Sequence, residues 1–291
     1  MEIVNKVFQT DSEKVNRIYK EEPNYLIEYN KTADSKAPYC ILYFSSHDIY
    51  YPNTEEAFKD SIVKKNKFEW YQTRVQKGEK HIFLRDIKKQ WYLTGINKDI
   101  DSLDRLAAFL NKETEGYKVI TVGSSAGGFA AVFFGQLLEA ELIFTFNGQF
   151  YLNHLLTDSS PNIDPIIFRE KNNLAIKKYF DLRPFIKSPK EIYYFHSTKS
   201  DLDKLQFDHV SDLDIKFISF KTSHHGIPFL KSSLNHVINS SPEHLQDFVL
   251  NLQHPFIFSS KIEGIPQTII SLFLQVKSNL KIKLKRIIGV R

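Results

Sequence analysis

Short runs of β-branched and aromatic residues alternate along this chain with stretches whose apolar positions recur every three or four residues. YLIEY, APYCILYF, KHIFL, YKVITV, ELIFTF, EIYYF and DIKFISF read as strands, and several are apolar on both faces, as strands covered by helices on either side must be. TEEAFKDSIVKK has helical spacing, and DIDSLDRLAAFLNKETEG sets Leu103, Leu106, Phe109 and Leu110 on one stripe before Gly116 stops it. GFAAVFFGQLLEA continues YKVITVG as a helix starting at Ala126 or Gly127, and SPEHLQDFVLNLQ reads as a later helix. Strands alternating with helices predict an α/β architecture with a mostly parallel central sheet flanked by helices. The first 38 residues are mixed and polar, with YLIEY as their one strand. Asn147 to Lys190 breaks the rhythm: it is too long for a simple crossover, and it carries short helical patterns and several prolines. It reads as an insertion over the C-terminal edge of the sheet, where it would shape a pocket, or else as one long crossover helix with loops.

The same patterning divides the chain into a main α/β domain, residues 1–260, and a basic amphipathic segment, residues 261–291. Pro266 starts the helical part, Ile269, Phe273, Val276, Leu280, Leu284 and Ile287 recur at three- and four-residue steps, and Lys277, Lys281 and Lys285 form a second row. Charge sharpens the division. The net charge is +5, yet from Lys261 onward seven basic residues face one acid, so the tail carries +6 and the body −1. So neutral a body lacks the concentrated basic surface that nucleic acid requires. The tail predicts either docking, on the body or in a dimer, or peripheral contact with an anionic inner membrane leaflet. No window of about 18 apolar residues predicts a spanning helix, and the first residues do not pattern as a signal peptide. The single cysteine, Cys40, has no partner for an intramolecular disulfide, and no Cys/His spacing reads as a metal site. A cytoplasmic protein is expected; its oligomeric state is not legible.

The chemistry concentrates where YKVITV runs into Gly123-Ser124-Ser125-Ala126-Gly127. A strand turning into a helix through G-x-S-x-G is the context in which a serine becomes an exposed nucleophile, with small neighbours to admit the strained turn and helix N–H groups aimed at developing negative charge. The alternative is a Gly/Ser turn that only packs strand against helix, or binds phosphate. Partners in the order Ser, acid, His favour the nucleophile. TKSDLDK follows the strand EIYYFHS and supplies Asp201, nearest the strand end, ahead of Asp203. KTSHHGIPF follows DIKFISF and supplies His225, chosen over His224 because Gly226 gives the loop room to turn. The candidate catalytic set is therefore Ser125, Asp201 and His225. The candidate oxyanion donors are the Ala126 N–H and, from FSSHDIYYPN, Ser46, with Ser45 and His47 as neighbours in contention.

At these residues the chain resembles the α/β-hydrolase fold of serine esterases and acyltransferases, over about residues 38–250. TVGSSAGGFAAV, FSSHDIYYPN, RDIKKQWY and HHGIPF look similar to proteins of bacterial surface-polysaccharide loci, capsule O-acetyltransferases among them. That resemblance implies transfer of an acetyl group from acetyl-CoA, as donor substrate, to a carbohydrate hydroxyl through an acyl-serine, with no resident cofactor. The HGGG loop of lipases is replaced by SSHD, which argues against a generic lipase. Two other outcomes stay open: an esterase or thioesterase in which water takes the acceptor's place, and a catalytically silent scaffold that binds a glycan or a partner protein.

Overall fold

The computed structural model describes residues 7–30, 38–158, 161 and 164–274. Seven strands lie where the alternating and apolar runs predict them: β1 (Tyr25–Tyr29), β2 (Tyr39–Phe44), β3 (Gly78–Leu84), β4 (Lys118–Ser124), β5 (Leu142–Phe146), β6 (Ile192–Ser197) and β7 (Lys216–Phe220). A two-residue β8 (Leu252–Gln253) completes the sheet. The spatial order is β1-β3-β2-β4-β5-β6-β7-β8. β1 runs antiparallel to β3, and every other neighbouring pair is parallel.

Parallel neighbours need crossovers, and helices supply them. Ahead of the sheet stands α1 (Glu13–Glu21). α2 (Leu103–Glu113) joins β3 to β4, α3 (Ala126–Leu137) joins β4 to β5, and α4 (Asp201–Val210) joins β6 to β7. This strand order, with one antiparallel edge and a strand–turn–helix at β4–α3, is that of the α/β-hydrolase fold.

Side chains along each strand go alternately to two apolar layers. Cys40, Leu42 and Phe44 of β2 join α2, α3 and Ile143 on one side. Ile41 and Tyr43 join Phe144, Phe195, Phe229 and Phe258 on the other. α3 is buried nearly all round, which explains why its sequence is apolar without a stripe. Small residues bring it close: at Gly135 an added Cβ would meet the Ile143 and Thr121 side chains at 2.7 Å.

Departures from the patterning have local causes. α1 was not expected, yet Ser12 caps it by accepting from the Lys14 N–H and it buries Val15, Ile18 and Tyr19. TEEAFKDSIVKK starts as an α-helix at Glu55–Phe58 and widens into a π-helical Lys59–Lys64. SPEHLQDFVLNLQ is helical only over Pro242–Gln246 before β8 forms. Within residues 147–190 the described chain forms short pieces, Leu155–Asp158, Pro165–Glu170 and Leu174–Lys177 with 3-10 turns after them, in place of one long crossover helix. Its Phe150, Leu152, Ile167, Phe180 and Leu182 pack into the layer that holds α3.

At the C-terminal end the chain is helical up to Leu274, with Ile265, Ile270, Phe273 and Leu274 exposed. The rest of the expected amphipathic segment, with Val276, Leu280, Leu284, Ile287 and the lysine row, lies outside the described residues. Among the described residues no helix is long and apolar enough to cross a membrane.

Candidate active site

β4 ends at Ser124 and α3 begins at Ala126, so Ser125 alone makes the turn. Its backbone sits at φ 51°, ψ −120°, a conformation that costs a non-glycine residue about 1–3 kcal/mol and that the surroundings must enforce. They do. The Ser125 N–H donates to Phe146 O at 3.0 Å, and Ser125 O accepts from the Phe129 and Gln149 N–H groups at 3.1 and 3.3 Å. The flanking glycines are sterically required: a Cβ on Gly123 would lie 2.0 Å from Gly127 O, and one on Gly127 would lie 2.3 Å from Phe44 O.

His225 reaches this turn from the loop after β7. Its Nε2 lies 2.8 Å from Ser125 Oγ, and its Nδ1 lies 2.7 Å from Asp203 Oδ1. Ser125 and His225 are thus brought together; Asp201 is not part of the relay. Helix geometry decides between the two aspartates. Residues 201–210 form α4, capped by Ser200, and the inward row of that helix is Asp203, Gln206 and Val210. Asp201, its first residue, faces solvent, whereas the Asp203 side chain is fully buried. His224, next to His225 in the loop, does not join the relay; burial, then the Lys231 and His225 charges, lowers its pKa.

Sequence reasoning missed the residue that fixes the histidine loop. Asn147, at the end of β5 with φ 43°, is fully buried. Its Nδ2 donates to His224 O at 3.1 Å and Gly226 O at 2.9 Å, straddling His225, and also lies 3.0 Å from Ser197 Oγ. Its Oδ1 accepts from the Ser197 N–H at 2.8 Å, and the Ser197 hydroxyl donates to His224 O at 2.7 Å. An asparagine after a buried strand was the only signal. Asn147→Ala takes the donor from Gly226 O and the acceptor from the Ser197 N–H, while His224 O keeps the Ser197 hydroxyl, so a stability loss of about 1–3 kcal/mol is expected, with a lower kcat, measurable by urea unfolding and ester turnover.

On the oxyanion side, the Ala126 N–H opens α3 and has no intrahelical acceptor, as geometry requires of a donor aimed at substrate. Ser46 is different. Its N–H donates to Glu69 Oε2 at 2.6 Å and its hydroxyl donates to Glu69 Oε1 at 2.9 Å. The expected second donor is therefore occupied by a carboxylate from the segment before β3. The Ser45 N–H is taken by Leu84 O at 3.1 Å, and Ser45 Oγ accepts from the Asp86 N–H at 3.2 Å. Burial pushes the Glu69 carboxyl pKa up, against the opposing pull of the Ser46 donors and the Lys67 charge. Burial likewise lowers the His47 pKa to about 3, with the Lys89 and His225 charges acting in the same direction.

A cavity of about 220 Å³ opens at the relay, lined by Ser46, His47, Glu69, Ser125, His225 and Lys231 among others. A second, of about 460 Å³, shares Glu69, Ser124, Ile227 and Lys231 with it and adds Gln72, Thr73 and Asn235. Neither is lined by residues 147–190, so the expectation that this insertion shapes the pocket is not met among the described residues. Those residues pack against α3, and of them Asn147 and Gln149 bond to the elbow and the histidine loop.

A strained serine hydroxyl bonded to an imidazole, itself bonded to a buried carboxylate at the mouth of a helix N-terminus, is the arrangement that forms and breaks acyl-serine esters. No family model matches the chain, and no curated protein matches it in sequence. Among solved structures it is similar to the capsule O-acetyltransferase of Neisseria meningitidis serogroup A, at 12% identity and TM-score 0.46, over 68% of this chain and 83% of that one. It is similar to esterase B from Lactobacillus rhamnosis at 10% identity and TM-score 0.43, over 96% and 93% of the two chains. The third is the S-formylglutathione hydrolase of Staphylococcus aureus, at 11% identity and TM-score 0.39, over 65% and 78%.

Proposed function

We propose that this protein is a serine acyltransferase that moves a short acyl group, acetyl from acetyl-CoA, onto a hydroxyl of a carbohydrate acceptor belonging to a surface polysaccharide or its precursor. The observation that carries the reading is the unbroken relay from Ser125 Oγ to His225 to Asp203 at a turn strained as a nucleophile requires. In acylation the Ser125 oxygen attacks the donor carbonyl while its proton passes to His225 Nε2, and Asp203 stabilises the imidazolium. Collapse of the tetrahedral intermediate expels the thiol of the donor, which takes the proton from His225. The acceptor hydroxyl then attacks the acyl-serine, giving its proton to His225; collapse breaks the acyl–Ser125 bond, and Ser125 Oγ takes that proton back as the acylated acceptor leaves.

The size and lining of the cavities support the substrate class. A 220 Å³ space beside Ser125 suits an acetyl group, and the histidines, carboxylates, amides and Lys231 around it and its neighbour suit a hydroxyl-rich acceptor rather than a long apolar chain. Hydrolysis shares the first half-reaction and differs only in the attacking oxygen. Labelling with a fluorophosphonate, mapped by mass spectrometry, tests the nucleophile: modification at Ser125 that Ser125→Ala abolishes is the expected result, and an unlabelled native protein would mean a silent scaffold. Release of free CoA from acetyl-CoA only when a sugar acceptor is added supports transfer. Release without acceptor assigns hydrolysis.

A further inference from the structure

Three backbone N–H groups of the loop after β2 follow one another beside the elbow, and two are already committed: Ser45 to Leu84 O and Ser46 to Glu69. The third belongs to His47, which opens the 3-10 turn His47–Ile49 capped by Ser46. The first donor of such a turn has no acceptor within it. The loop touches the start of α3, since a Cβ on Gly127 would stand 2.3 Å from Phe44 O and 2.8 Å from Ser45 O. Ser46, His47 and Ser125 line one cavity.

We propose that Glu69 is the positioning residue of the oxyanion hole: by gripping Ser46 at both its N–H and its hydroxyl, it orients the loop so that the His47 N–H, together with that of Ala126, receives the developing oxyanion. This rests on the serine acyl-transfer reading above. A carboxylate suits the task because it alone among side chains accepts with two oxygens and donates with none, and charge-assisted bonds are the stronger kind. The grip is doubled by the next residue, whose indole Nε1 donates to Phe44 O at 2.7 Å, so Glu69 and Trp70 clasp both sides of Ser45. The loop needs this clasp, since SSHD contains no glycine-rich segment to bring its backbone in by flexibility. A carboxylate this near a forming negative charge would oppose it if left bare; the two Ser46 donors and the Lys67 charge act against that.

The test uses p-nitrophenyl acetate turnover and the rate of fluorophosphonate labelling in the full chain, with circular dichroism to confirm folding. Glu69→Ala is expected to lower kcat by about 10–100-fold with KM changed less than about threefold, because a misplaced donor is missed in the transition state more than in the ground state. Glu69→Gln keeps one acceptor and is expected to recover part of that loss. His47 permits a second measurement. Proline is tolerated at the first position of a helical turn, and Ser46 is extended at ψ 179°, as a residue preceding proline must be. His47→Pro removes the ring and the N–H, and His47→Ala removes the ring alone. Their kcat values are expected to differ by about 10²-fold or more, the effect of losing one oxyanion donor. The proposal is overturned if Glu69→Ala matches or exceeds native kcat, or if His47→Pro equals His47→Ala. If the native protein neither turns over nor is labelled, the acyl-transfer reading falls and this proposal with it; a labelled, active native protein with unaffected variants sinks this proposal alone.

Discussion

Asp203→Asn is expected to lower kcat for an activated ester by about 10⁴-fold, the scale of the same change in other Ser-His-Asp relays, while Asp201→Asn leaves kcat within about twofold of native. The carboxylate of Asp203 can only accept, so it holds the proton on His225 Nδ1 and leaves Nε2 with a lone pair toward the Ser125 hydroxyl. An asparagine can turn its NH₂ toward Nδ1; the ring then carries its proton on Nε2 and cannot take one from serine. Burial makes the effect large, because no water competes for a side chain with no exposed surface. Asp201 stands two residues earlier, in the first turn of α4 and in solvent. Its loss removes at most a favourable charge at a helix N-terminus, about 0.3–1 kcal/mol of stability, and touches no reacting atom. Steady-state kinetics on the two variants side by side decide between them. Loss of activity in Asp201→Asn with Asp203→Asn intact would overturn the assigned relay.

The contrast between those two aspartates shows what patterning could and could not read. The elbow was legible because it is local: a β-branched run, then glycines at fixed spacing, then small apolar residues, all within 20 positions of the chain. The histidine was legible for the same reason, since Gly226 takes φ 109° directly after it. α4 was not. Its Leu202, Leu205 and Phe207 make no stripe, and Leu205 is half exposed while Asp203 and Gln206 are buried. An inward row that is polar is invisible to hydrophobic periodicity, because its burial is compensated by partners far off in sequence. Gln206 Oε1 accepts from the N–H groups of Phe150 and Tyr151, at 2.6 and 2.9 Å. Asp203 meets a histidine in the next loop but one.

The same reason hid Glu69 and Asn147. Each is a polar residue whose role is defined by long-range hydrogen bonds, Glu69 to a loop 23 residues away and Asn147 to carbonyls 77 and 79 residues away. Neither forms a motif with its neighbours. Ser46 was expected to offer the second oxyanion donor, and its N–H is held by Glu69 instead, because which N–H stays open depends on which ones the rest of the protein already holds.

Gly123→Ala and Gly127→Ala are each expected to destabilise the fold by about 3 kcal/mol, and Ser125→Gly to stabilise it by about 1 kcal/mol while abolishing turnover. The added methyl at 123 meets the carbonyl of Gly127 at 2.0 Å, and the one at 127 meets Phe44 O at 2.3 Å. Both obstacles are backbone, so relief requires moving β2, β4 or α3, and the central strands that would shift carry the core on both faces. Ser125 works in the other direction. At φ 51°, ψ −120° its Cβ is the source of the strain, and glycine removes it. Urea unfolding of the three variants measures all of this on one scale. A rise in midpoint for Ser125→Gly alongside a fall for the two alanines is the pattern of a turn held in tension for its hydroxyl. Were Ser125→Gly no more stable than the native chain, the bend would be relaxed packing, and the case that its geometry serves a nucleophile would lose its physical basis.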